Sequence, residues 1–229
     1  MGPDLLSVFA PLDLAAFAAL IAVWWGSGWI IEHPPAGRPS TTVLMHRFRH
    51  DWMVQMVTRQ PRIFDAAILS SLKQGTTFLA SGAMLAVGGV LALAGNAEPL
   101  TRIVDEVGVA AHPRLYWQAK LAVIALLLVH SVFRFVWSNR LFGYCAVVMA
   151  SVPNDAADPR ALPRAAKAAE INIRAALNYN SGLRSVYFAF ATLGWLVGPW
   201  GLLAGLAATA WVVLGREFRS TSRGVLLEE

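Results

Sequence analysis

Residues 115–137 read LYWQAKLAVIALLLVHSVFRFVW. Crossing the hydrocarbon of a bilayer takes roughly 20 mostly apolar residues, about 30 Å as a helix. This run meets that requirement, with Lys120 near one end and His130 and Arg134 one helical turn apart near the other. Three more stretches qualify on either side of it. They are 14–31, closed by Glu32-His33-Pro34-Pro35; 76–94, TTFLASGAMLAVGGVLALA; and 186–214, interrupted by Gly198-Pro199-Trp200-Gly201. The fold expected is an all-α, polytopic transmembrane helical bundle of four spans, a single membrane domain over 1–229.

Composition agrees. The chain is 56% hydrophobic and 14% charged, with a mean hydropathy of +0.52, where soluble domains carry about 25% charged residues. The net charge of +5 does not indicate nucleic acid, because the basic residues border apolar runs. Six Lys and Arg fall in 32–74 and six in 139–184, against none before the first span, two between spans two and three, and three after the fourth. Cytoplasmic loops carry the excess of Lys and Arg. The expectation is therefore a plasma (inner) membrane protein with its N-terminus outside and both long loops cytoplasmic. The N-terminus lacks the basic region of a signal peptide, so the first segment is expected to stay as an anchor.

The tail strains this scheme, since Arg216, Arg219 and Arg223 would lie outside. The 186–214 run is either one kinked helix or two halves that dip in and return. Halves of about 14 residues reach only roughly 21 Å, which favours one kinked span.

The long loops have helical patterns. In TTVLMHRFRHDWMVQMVTRQ, apolar Val43, Leu44, Phe48, Trp52, Met53 and Met56 recur at helical spacing, and Pro61 suits the first turn of a following helix. VPNDAADPRALP is a turn-rich linker, and LPRAAKAAEINIRAALNY is a helix that Asn180-Ser181-Gly182 should end. Such amphipathic helices lie in the headgroup layer or pack on the cytoplasmic face of the bundle.

Small residues let membrane helices approach closely. They line up as Ala18, Ala22 and Gly26; as Ser81, Gly88, Ala92 and Gly95; and as Gly194/Gly198 and Gly201/Gly205. Trp24, Trp25, Trp29, Trp117 and Trp137 lie toward span ends, where indole prefers the interface.

Few residues carry the chemistry of a reaction. Lys120, His130 and Arg134 project within roughly 80° of one another on a helix. They could form the polar wall of an anion cavity, or satisfy separate structural partners. His46 and His50 have an i, i+4 spacing without a third ligand nearby, and His130 is the only histidine inside a span, so neither a metal nor haem is expected. The single Cys145 excludes an internal disulfide. There is no P-loop, GxSxG, Rossmann fingerprint or HExxH, and the Ser70-x-x-Lys73 spacing lacks the companions it would need. No cofactor is expected.

RQPRIFDAAILSSLKQGTTFLAS, FRFVWSNRLFGY and NSGLRSVYFAFATLGWLVGPW resemble a family of integral membrane proteins, domain of unknown function 599. The resemblance covers most of the chain and implies four spans but no activity. It draws attention to Arg134, Trp137, Arg140, Arg184 and Tyr187, which would gather into one basic-aromatic cluster if spans three and four were neighbours. Such a cluster binds lipid phosphate or a partner's carboxylates, or anchors the bundle at the interface. The function expected is a non-enzymatic, lipid-binding membrane assembly component. Its partners would be anionic lipid, further copies of itself or a partner membrane protein, and not nucleic acid. The alternative is a channel or transporter for a small, anionic solute along Lys120, His130 and Arg134.

Overall fold

The computed structural model describes residues 9–96 and 113–228. Among the described residues the chain is helical, with no strand. Helix α1, Pro11–Glu32, starts on a proline, whose missing N–H costs nothing in a first turn. Helix α2, Thr41–Thr58, is capped by Ser40. The Ser40 Oγ accepts from the Val43 N–H at 3.2 Å and donates to the Ile31 carbonyl at 2.7 Å, fixing the corner with α1. Helix α3 is Ile63–Gly95, α4 is Arg114–Ala150 and α5 is Ala161–Leu193. A 3-10 turn, Gly194–Val197, leads to α6, Pro199–Phe218, and then to the short α7, Thr221–Leu227.

Four helical stretches are long and apolar enough to cross a membrane: Pro11–Glu32, Ile63–Gly95, Arg114–Ala150 and Pro199–Leu227. The first three contain the expected runs. The fourth corrects the expectation, because 186–214 is not one kinked helix. Residues 186–193 end α5, and α6 folds back antiparallel to them. A Cβ on Gly205 would sit 2.7 Å from the Ala191 carbonyl oxygen, and one on Gly201 would sit 2.2 Å from that of Gly194. In a continuous helix those fourteen residues would separate Ala191 from Gly205 by about 21 Å. The reversal is local chemistry. Gly198 has φ +130°, open to glycine and strained for other residues, and Pro199 then begins α6 where no N–H is needed.

The expected break at Asn180-Ser181-Gly182 does not occur either; α5 runs through it. Gly182 serves packing, since a Cβ there would stand 2.9 Å from the Phe135 ring. Asn180 donates to Thr42 Oγ1 at 3.2 Å.

Two packed regions result. Toward the Asp13 end, Leu20 of α1, Leu121 and Ile124 of α4, Phe188 of α5, and Leu202 and Leu206 of α6 form one core. At the other end α2 lays Met53, Met56 and Val57 against Ala161, Ala165 and Ala168 of α5 and Phe142 and Cys145 of α4. The apolar face of α2 is thus covered by protein. Asp65 at the start of α3 holds that corner, accepting from Trp52 Nε1 at 2.7 Å and from Arg59. Helix α3 packs extensively on α4 alone, and only 11% of its apolar window is buried.

The tail returns to the Glu32 end. Glu217 accepts from the Thr42 backbone N–H at 2.9 Å and from Thr42 Oγ1 at 2.8 Å, while Arg223 donates to the Pro39 carbonyl at 2.9 Å.

Candidate functional site

Two polar centres occupy opposite ends of the bundle. At the first, Lys120 is fully buried. Its Nζ donates to the Trp195 carbonyl at 2.7 Å, lies 3.8 Å from Asp13 Oδ1 and sits 3.8 Å above the Tyr116 ring. Trp195 Nε1 donates to Asp13 Oδ1 at 2.6 Å. The Trp195 carbonyl accepts from the Gly198 N–H at 3.1 Å as the 3-10 turn closes, and the ammonium is its second donor. This network ties α1, α4 and the tip of the α5–α6 hairpin together.

The second centre lies where α1, α4 and α5 meet near Glu32. Arg134 Nε donates to His130 Nε2 at 3.2 Å, so the neutral imidazole carries its proton on Nδ1 and donates it to Ser185 Oγ at 2.8 Å. Trp24 Nε1 also donates to Ser185 Oγ, at 3.2 Å, and the Ser185 hydroxyl passes its own proton to the Ser181 carbonyl at 3.1 Å. This polarity is wrong for an activated serine, because His130 gives a proton to Ser185 and does not take one. Both ring nitrogens of His130 are engaged, which leaves neither facing a haem iron.

Around these groups is a cleft of about 340 Å³ lined by Trp24, Trp25, Trp29, Glu32, His130, Arg134 and Arg184. A smaller recess of about 210 Å³ beside it shares Glu32 and Arg134 and adds Arg174 and Asn178. Arg184 Nη2 donates to Glu32 Oε1 at 2.6 Å, and the side chain lies across Gly28, where a Cβ would stand 3.2 Å from Nη2. Glu32 therefore balances Arg184. Arg134 donates only to neutral groups, His130 and, at 2.9 Å, Asn178 Oδ1. Arg134 is exposed to the cleft as a cation with donors to spare.

The expected site residues thus separate. His130, Arg134 and Arg184 share the cleft. Lys120 belongs to the other end. Arg140 turns to Tyr144, donating to its hydroxyl at 2.6 Å, and Tyr187 accepts from Arg216 at 3.1 Å. Trp137 is exposed and not among the cleft residues. One basic-aromatic cluster does not form, because Arg140 pairs with Tyr144 and Tyr187 with Arg216, and neither Arg140 nor Tyr187 lines the cleft. Glu32, Gly28 and Ser185 were missed by sequence reasoning. The four-residue step from Gly28 to Glu32 in GSGWIIE was their one available sign.

No group of three or more His, Cys, Asp or Glu that could hold a metal occurs among the described residues. Burial, with Arg49 beside it, holds the His46 imidazole below its ordinary range, and its Nε2 is buried without a hydrogen-bond partner.

No curated protein and no solved structure matches the chain. The family described as Protein of unknown function, DUF599, matches residues 15–222, which takes in the cleft, Lys120, Trp195 and the α5–α6 hairpin, so the chain belongs to that family.

Proposed function

We propose that this protein is a non-enzymatic assembly component of the plasma (inner) membrane, with its two long cationic segments toward the cytoplasm. It holds the phosphate of an anionic lipid in the cleft between α1, α4 and α5. The observation that carries this reading is Arg134, a cation exposed in a tryptophan-lined cleft whose own hydrogen bonds go to neutral groups. A guanidinium in that state offers a paired, charge-assisted contact to phosphate. Trp25 and Trp29 are exposed beside it, as befits indoles at headgroup level. Self-association fits the outward faces of α1 and α3, where Gly26, Gly82 and Gly88 have open space around them.

The conduit reading has less support. Lys120 is enclosed by Asp13, Tyr116 and Trp195, and buried Ile124, Leu127 and Leu128 intervene before His130. Native mass spectrometry of the full chain from mild detergent tests the lipid reading. Wild type should retain phosphatidylglycerol over phosphatidylcholine, and Arg134→Gln should weaken that retention about fivefold, the effect of one cation near a lipid surface. Equal retention by both forms would sink it.

A further inference from the structure

A further cavity belongs to neither polar centre. It is an open groove of about 710 Å³ between α3 and α4, whose polar lining is Ser70, Lys73, Gln74, Thr77 and Asn139. Lys73 is half-buried there, and its Nζ makes no hydrogen bond or ion pair with any described residue. The side chain reaches across to α4, with Nζ 3.8 Å from where a Cβ on Gly143 would be. No carboxylate lines the groove.

The neighbouring polar groups are already oriented. Asn139 Nδ2 donates to Thr77 Oγ1 at 2.6 Å and to the Lys73 carbonyl at 3.2 Å, binding α4 to α3 beneath the lysine. Gln74 Nε2 donates to Ser70 Oγ at 3.2 Å, so the Ser70 hydroxyl proton stays available while Ser70 is not paired with Lys73 as a nucleophile would be. The Ser70-x-x-Lys73 spacing then has a plain use. It stacks a hydroxyl and an ammonium on one helix face, both pointing donors into the groove.

Lys73 stands just before the apolar 76–94 run, and Phe78, more than three-quarters exposed, lines the same groove. A cationic, donor-rich pocket that opens onto an apolar wall matches an amphiphile with an anionic head. We infer that this groove binds one anionic phospholipid, its phosphate on Lys73 and Ser70 and an acyl chain along Phe78. The lipid acts as the second neighbour of α3, a helix whose one extensive protein contact is α4. The site is separate from the Arg134 cleft and does not depend on it.

Thermal unfolding of the full chain in mild detergent, titrated with phosphatidylglycerol, tests this. Wild type, Lys73→Gln and Lys73→Arg are compared, each also in an Arg134→Gln background so that the cleft contributes nothing. Without lipid all three should melt alike, because the Lys73 ammonium pairs with no described residue. In both backgrounds phosphatidylglycerol should stabilise the wild-type and Lys73→Arg proteins, and Lys73→Gln should need about fivefold more lipid for the same shift. Phosphatidylcholine and inorganic phosphate should give no Lys73-dependent shift. The proposal is overturned if Lys73→Gln titrates like wild type, if phosphatidylcholine is as effective as phosphatidylglycerol, or if inorganic phosphate alone reproduces the effect.

Discussion

Lys120 has no route to water, and its neighbours explain how its charge persists. An ammonium held by a carbonyl, a carboxylate and an aromatic face is a balanced group only while every partner is present. Lys120→Ala would leave the Asp13 carboxylate buried without its cation and remove one of the two donors to the Trp195 carbonyl. Breaking a buried pair from one side costs about 3–5 kcal/mol. The unfolding midpoint in detergent should fall accordingly, and Lys120→Met combined with Asp13→Asn should recover much of the loss, because no lone charge then remains. The sequence marked Lys120 as unusual but grouped it with His130 and Arg134. The shared azimuth suggested one polar wall, although Lys120 lies toward the opposite end of the span from His130 and Arg134. Ten residues of helix are about 15 Å, enough to place Lys120 in a different environment. Its partners, Asp13 and Trp195, come from remote stretches of chain, and no local spacing announces them.

At the scale of elements the α5–α6 hairpin decides the architecture. The Gly194, Gly201 and Gly205 positions were legible as sites of close helix approach, and they are. What the spacing lacked was the identity of the partner, which is the adjoining helix and not another span or protomer. Gly182 was misread for a related reason. A glycine after Asn180-Ser181 has the composition of a turn, but its missing side chain makes room for Phe135. The hairpin gives a sharp comparison. Gly205→Ala would drive a methyl into the Ala191 carbonyl and should destabilise by about 1–3 kcal/mol, as overpacking does. Gly215→Ala, on the same helix with nothing within 4 Å, should be neutral or slightly stabilising. Guided by those two melting points, Gly201 and Gly194 can be tested in the same way.

For the whole molecule the hairpin moves the tail. Sequence reasoning recovered the four apolar helices and the cationic weight of the long connecting segments. It put Arg216, Arg219 and Arg223 on the opposite side because 186–214 was read as one kinked span. With α6 returning to the Glu32 end, those three arginines join the twelve Lys and Arg of 32–74 and 139–184, while Arg114 begins α4 at the far end. The segregation of charge becomes more complete than the linear reading allowed, in keeping with cationic loops gathered on one side. Ser220→Cys should accordingly react with a membrane-impermeant maleimide under the same conditions as Arg38→Cys, in intact or in opened cells. The native Cys145 is buried and contributes little background. Labelling of the two positions from opposite sides would contradict the fold. The pairing of α1 with α6 also bears on biosynthesis. Helix α1 leaves the ribosome well before α6, its main mate, so a nascent chain halted at Val197 would hold α1 without the surface that encloses Leu20. Closure of the bundle waits on the synthesis of α6, and until then α1 must be sheltered by lipid or by the insertion machinery.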